Sequence, residues 1–380
     1  MRNVSLPAVF MRGGTSKAVM FREADLPRDR SQRDELFLQV MGSPDPNGRQ
    51  LDGMGGGLSS LSKVCVVGPS TRSDADVDYT FAQISVRDDS VDYSGNCGNM
   101  CSAVGPFAVE EGLVPPLPDG QRTVRIHNTN TSKVIVAHFP VVDGALAAAG
   151  DFRMEGVAGE AAPIRLEFLR PGGSKTGKLL PTGTACETIE VPVFGPLQIT
   201  CVDAANPCVF VAAESLGKSG VELPDVLERD AGFLQTMEWI RCLAAVRMGL
   251  APNPAAAAGV LSIPKVAMVS APTAALTLSG RQLAATDYDC SVRMISVGQP
   301  HRAVPVTGCI CLGVAMRIAG SVPQRVGRRT TGAIRVAHPS GITVVDAEVT
   351  GHTADQFHTP YAAIYRTARR LFEGRVFYRT

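Results

Sequence analysis

Aromatic side chains are scarce: the 380 residues include one Trp and six Tyr. That argues against the stacked aromatic platform of single-stranded nucleic-acid binders. Excess charge of either sign is also missing. Lys and Arg number 37 against 36 Asp and Glu, a formal net charge of +1, so neither a nucleic-acid surface nor a polybasic membrane patch is expected. No apolar run approaches the ~18 residues of a membrane span. The opening Met1-Arg2-Asn3-Val4-Ser5 lacks the charged region and apolar core of a secretory leader. There is no CxxC pair and no HxxxH pair, so no metal is expected. Neither GxGxxG nor GxxxxGK[ST] occurs; Gly172-Gly173-Ser174-Lys175-Thr176-Gly177-Lys178 has the wrong spacing. Ten cysteines are too few for a disulfide scaffold in a chain of this length, and buried free thiols in a reducing cytoplasm are the expectation.

What is present points to many short elements. Gly 38 and Pro 26 are high counts, and the length exceeds what one core usually holds. Residues 8–12 and 18–21 flank a glycine turn. Residues 29–41 have helical spacing, followed by a Pro/Gly loop and a glycine cluster at 53–57. Strands are expected at 63–67 and 78–86. A Gly/Asn-rich loop at 92–100 then feeds an apolar helix containing Pro106, with a kink or 3₁₀ start possible there. The second half repeats this logic. It has strands near 189–193, 199–203 and 208–212, a helix at 228–249, and strands at 266–269 and 289–295. An apolar helix then opens at Thr307-Gly308. A helix that is apolar all round must be wrapped by strands. The expected class is therefore α+β, with a boundary among the Gly, Pro and Thr residues of 173–188. We place the domains at 1–182 and 183–380.

Two residues stand out chemically. Cys97 lies in Gly95-Asn96-Cys97-Gly98-Asn99, where a helix N-terminus would favour a thiolate. The plainer reading is a small filler at a tight turn. Lys63 stands where a polar loop becomes the apolar run Val64-Cys65-Val66-Val67. A lysine entering a core loses solvation, which favours its proton-accepting form; the plainer reading is a solvated strand end. Gly13-Gly14-Thr15-Ser16, the glycine cluster at 53–57 and Thr182-Gly183-Thr184 offer backbone N–H donors to anions. Arg12, Lys17, His301, Arg302 and His338 are cations or potential cations beside turns.

These motifs in this order resemble the 2-methylaconitate isomerase (PrpF) family of the diaminopimelate-epimerase-like superfamily. The matching segments are MRGGTSK at 11–17, GSPDP at 42–46, LDGMGGG at 51–57, SKV at 62–64, SGNCGN at 94–99 and HPSG at 338–341. The resemblance reaches to a closing segment, residues 367–374, read as a helix. It implies two similar domains, each a curved mixed β-sheet or barrel around a central helix, with the active site in the cleft between them. The C-terminal segment could pack back on the first domain. It further implies a cofactor-free, metal-free isomerase of small unsaturated carboxylates, with Lys63 and Cys97 catalytic. Arg12, Thr15, Ser16, Ser62, Asn96, Gly98, Asn99, Arg302, Ser340 and Gly341 are the implied substrate-binding residues. Cys309, where the superfamily's epimerases carry a second thiol, is read as structural. A homodimer or homotetramer fits such a family.

The chemistry implied is an allylic proton shift, with Lys63 favoured as base, Cys97 as partner acid and the order open. Keto–enol tautomerisation of oxalomesaconate is the alternative within the enzyme class. A catalytically inactive carboxylate-binding protein is the alternative outside it.

Overall fold

A computed structural model describes residues 2–93, 95–260, 263–296, 298–351, 353 and 356–379. The chain divides into two compact units. One is Met1–Glu167 with Tyr365–Thr380, and the other is Phe168–Ile364. The division falls at Glu167/Phe168, ahead of the 182/183 boundary read from composition.

In the first unit, β1 (Asn3–Gly13) and β2 (Ser16–Arg22) form an antiparallel hairpin. Helix α1 (Arg30–Met41), capped by the Asp29 side chain, leads towards β3 (Lys63–Pro69), which pairs parallel with β2. β4 (Val77–Ile84) returns antiparallel to β3. Helix α2 (Cys101–Glu110) follows. Then come β5 (Gly120–Asn128), parallel to β4, and β6 (Lys133–Val142), antiparallel to β5. β3 is buried from Lys63 to Gly68, so it reads as a continuous apolar run without alternation.

The second unit repeats the order. β7 (Gly195–Ala204) and β8 (Asn206–Ala212) are antiparallel. After helix α3 (Ala231–Arg247), β9 (Lys265–Ser270) pairs parallel with β8 and β10 (Cys290–Ser296) antiparallel with β9. Helix α4 (Val306–Arg317) precedes β11 (Ile334–His338), parallel to β10, and β12 (Gly341–Ala347), antiparallel to β11. The duplication expected from sequence is thus one strand order used twice.

The central helices explain the composition. Every residue of α2 from Cys101 to Ala108 is buried, including Pro106, and α2 packs on β1, β5 and β6. α4 is buried from Gly308 to Met316 and packs on β7, β8 and β12. It begins at Val306, so Thr307 and Gly308 fall inside its first turn rather than ahead of it. No helix among the described residues is long and apolar enough to cross a membrane.

Residues 367–374 are not a helix. Residues 368–374 belong to the last strand, β13 (Ala368–Arg379), which pairs antiparallel with β1 from Gly13↔Ala368 to Asn3↔Arg379. The charged residues Arg369, Arg370, Glu373 and Arg375 suit a solvated helix face locally. The backbone partner offered by β1 overrides that propensity.

Gly105 lets α2 pack tightly on β6. An added Cβ would lie 2.6 Å from Cε1 of fully buried Phe139 and 3.2 Å from the Ala137 methyl. Gly105→Ala improves helix propensity but overpacks this contact, and a net loss of about 1 kcal/mol or more is expected. The check is the urea midpoint; an unchanged or raised midpoint would contradict the packing described.

Candidate active site

Lys63 opens β3 and is 7% exposed. Its ammonium donates to the Gln83 Oε1 directly across the strand pair and lies 4.9 Å from the Phe81 ring centroid. The Gln83 amide is oriented by its other end, which donates to the carbonyls of Ser59 (3.0 Å) and Ser62 (2.9 Å). An amide acceptor fixes the ammonium without supplying a counter-charge. Ser62 is fully buried, and its hydroxyl reaches Gln50 Oε1 (2.5 Å) and the Leu58 carbonyl (2.8 Å). Gln50, 1% exposed, also accepts from Gly57 N–H and donates to Ser43. One buried amide therefore ties GSPDP, the glycine cluster and the loop before Lys63 together.

Cys97 is half-buried and stands one turn ahead of α2. Its carbonyl accepts the Cys101 N–H at 3.1 Å, an i,i+4 turn that leads directly into α2. Asn96 accepts from the Cys101 thiol at 3.3 Å, and Gly98 is buried. Ser94, the first residue of SGNCGN, lies outside the described residues. Lys63 and Cys97 both bear on one group, the fully buried Cys65 thiol. Burial and then Cys97 push that thiol well above its ordinary range, while Tyr79 and Lys63 pull the other way.

The β1–β2 turn abuts the Cys97 turn. Asn99 donates to the Thr15 hydroxyl at 3.0 Å and accepts from Arg366 Nε at 3.3 Å. Arg12 donates to the carbonyls of Gly14 and Thr367, both at 3.0 Å. Ser16 is buried and Thr15 exposed. Arg366, 6% exposed, was not singled out in sequence, because only the return of the chain's end brings it to Asn99.

Arg302, Ser340 and Gly341 form a separate group in the second unit. Ser340 donates to the Arg302 carbonyl at 2.6 Å. The Arg302 guanidinium is 61% exposed and pairs with Asp225 at 2.9 Å. His301 accepts the Ala303 N–H through Nδ1, and burial, with the Lys265 charge, lowers its pKa. It is therefore neutral near pH 7 rather than a cation. His338 is buried against Thr343. Among the described residues no group of three His, Cys, Asp or Glu could hold a metal ion.

A family model described as PrpF protein matches residues 3–379. The chain belongs to the PrpF family. It is 41% identical to 2-methyl-aconitate isomerase of Cupriavidus necator, over 98% of this chain and 96% of that one. It is 37% identical to 4-oxalomesaconate tautomerase of Pseudomonas putida, over 98% and 96%. A crystal structure of methylitaconate-delta-isomerase superposes with a TM-score of 0.90 at 38% identity, covering 99% of this chain and 96% of that one. As a member of this family the chain is an isomerase.

The strand repeat of this PrpF-family chain exposes a residue missed in sequence. Lys265 opens β9 as Lys63 opens β3, each strand pairing parallel with the hairpin strand before it. Burial lowers the Lys265 pKa. The signal was legible: Lys63-Val64-Cys65-Val66-Val67 is echoed by Lys265-Val266-Ala267-Met268-Val269. The thiols are not echoed in the same way. Gly105 and Gly313 occupy matching places, each pressed on the second strand of the hairpin after its helix. In that register Cys101 corresponds to fully buried Cys309, and Cys97 to Pro305.

Gly14 has φ +53°, and a Cβ there would lie 2.2 Å from Asn99 Oδ1. Gly14→Ala is expected to destabilise by about 1–3 kcal/mol through backbone strain and this clash. Asn99→Ala should remove the clash, so the double variant should be more stable than the sum of the two single losses by at least about 0.5 kcal/mol. Strict additivity in a denaturant double-mutant cycle would contradict the contact.

Proposed function

We propose that the chain is a cofactor-independent isomerase that moves a proton along a small unsaturated di- or tricarboxylate such as 2-methylaconitate or aconitate, with Lys63 and Cys97 as its acid–base pair. The observation that carries this reading is the setting of Lys63, a lysine 7% exposed whose ammonium is held by the neutral Gln83 amide rather than by a carboxylate. Cys97, half-buried on the Gly/Asn turn ahead of α2, is its proposed partner. The names of the relatives add the substrate class.

A C–H beside a carboxylate and conjugated to C=C loses its proton to one of the two groups. The electron pair spreads into the dienolate, and the other group protonates the allylic carbon. Atoms and charge balance without a further reactant. Backbone N–H groups of the Gly98–Met100 turn would serve as neutral donors to the developing charge. Thr15 and Asn99 would hold the substrate, with Asn96 and Gly98 shaping the turn. Arg12, Ser16 and Ser62 would act through the turns they brace. Arg302, Ser340 and Gly341 are proposed as the second unit's carboxylate-binding residues. None of the ten cysteines is joined in a disulfide, which suits a reducing compartment such as the cytoplasm. The relative named as an oxalomesaconate tautomerase supports a second reading, keto–enol transfer by the same pair.

Proton NMR in D₂O with 2-methylaconitate, aconitate, methylitaconate and 4-oxalomesaconate reports turnover and the carbon that gains deuterium. Lys63→Ala should abolish turnover. Cys97→Ser should lower it on the order of 10²-fold or more, because a hydroxyl is a far weaker acid than a thiol. A variant that lacks only the returning acid should still exchange the substrate proton. Near-wild-type rates in both variants would remove the pair from the mechanism. Turnover of oxalomesaconate alone would select the second reading.

A further inference from the structure

The far end of α2 carries a second feature, independent of Cys97. Arg122 lies on β5 and is 9% exposed. Its Nη2 donates to the Pro115 carbonyl at 2.7 Å. Nε and Nη1 are enclosed and meet no acceptor among the described residues. A guanidinium stays charged at any ordinary pH, and burying it with two nitrogens unpartnered is strongly unfavourable. The residue lines a cavity of about 500 Å³, whose other walls include Val109, Leu113, Val114, Leu117 and Val141.

We propose that this cavity binds a small monocarboxylate with an apolar body, its carboxylate taken by Arg122 and its hydrocarbon by the walls around it. One cation matches one carboxylate. A di- or tricarboxylate would leave further charges against apolar walls, so the isomerase substrate is a poor fit. The volume is that of an ordinary small-molecule site. The end of α2 nearest the cavity is the negative end of its dipole, which opposes an anion and makes Arg122 indispensable. Nε and Nη1 are sealed, so the proposed binding includes a shift of the exposed Pro115–Pro118 loop as the ligand enters. α2 spans ten residues, about 15 Å, so this site is distinct from the turn that bears Cys97.

Octanoate and octan-1-ol are the probes, titrated calorimetrically into the full chain, with melting temperature as a second readout. Octanoate should bind saturably, at least tenfold more tightly than the alcohol, and raise the melting temperature. Arg122→Met should weaken octanoate at least tenfold while raising the melting temperature of the ligand-free protein, since an unpartnered buried charge is gone. Leu117→Asp changes an exposed position and places a carboxylate at the rim, so it should weaken octanoate in a protein that folds normally. Absence of saturable octanoate binding would mean that Arg122 is satisfied by water alone and overturn the site. So would equal binding of acid and alcohol, or unchanged affinity in Leu117→Asp.

Discussion

A buried ammonium bonded to a neutral amide organises the first unit. Lys63 enters the core with its ammonium bonded to Gln83, whose Oε1 faces it because its own NH₂ group is occupied by two backbone carbonyls. Those carbonyls belong to a loop held by Ser62, and Ser62 is held by Gln50. The glycine cluster follows from the same constraint. At Gly55 an added Cβ would lie 2.2 Å from Gln50 Oε1, so any larger residue would expel the amide on which the loop depends. A sequence feature that looks like a phosphate cradle is, in this fold, the socket of a glutamine that braces the candidate base.

The Cys97 turn is built by a different route. Its position depends on α2, which must be apolar on every face because strands enclose it, and on the β1–β2 turn locked against Asn99. Lys63 and Cys97 therefore arrive from separate elements, a parallel strand and a loop before a helix. The Cys65 thiol, two residues along β3 from Lys63, is too deeply buried to ionise.

Local patterns made much of this legible. The change from polar loop to apolar run marked the entry of Lys63 into the core, and the small-residue helices marked the two centres of the fold. What stayed hidden was non-local. The segment 367–374 carries the charge pattern of a solvated helix, and only its pairing with β1, more than 350 residues away, makes it a strand. Arg366 was missed for the same reason. Lys265 was hidden differently: its echo of the Lys63 strand was present in the sequence, but only the repeated strand order makes the two equivalent. The same repeat puts Pro305, not a cysteine, at the place of Cys97, and leaves Cys309 as a buried residue of α4.

Whether Cys97 faces the substrate is the central question, and alkylation answers it in the unmodified protein. Cys97 and Cys186 are the two cysteines that are not fully buried, and Cys186 lies in the second unit beside Arg325. Iodoacetamide labelling followed by mass spectrometry reads both thiols in one sample, with Cys186 as the internal control. The account predicts that a saturating unsaturated tricarboxylate slows labelling of Cys97 at least tenfold and leaves Cys186 unchanged. Equal labelling of Cys97 with and without a carboxylate that the enzyme turns over would contradict it.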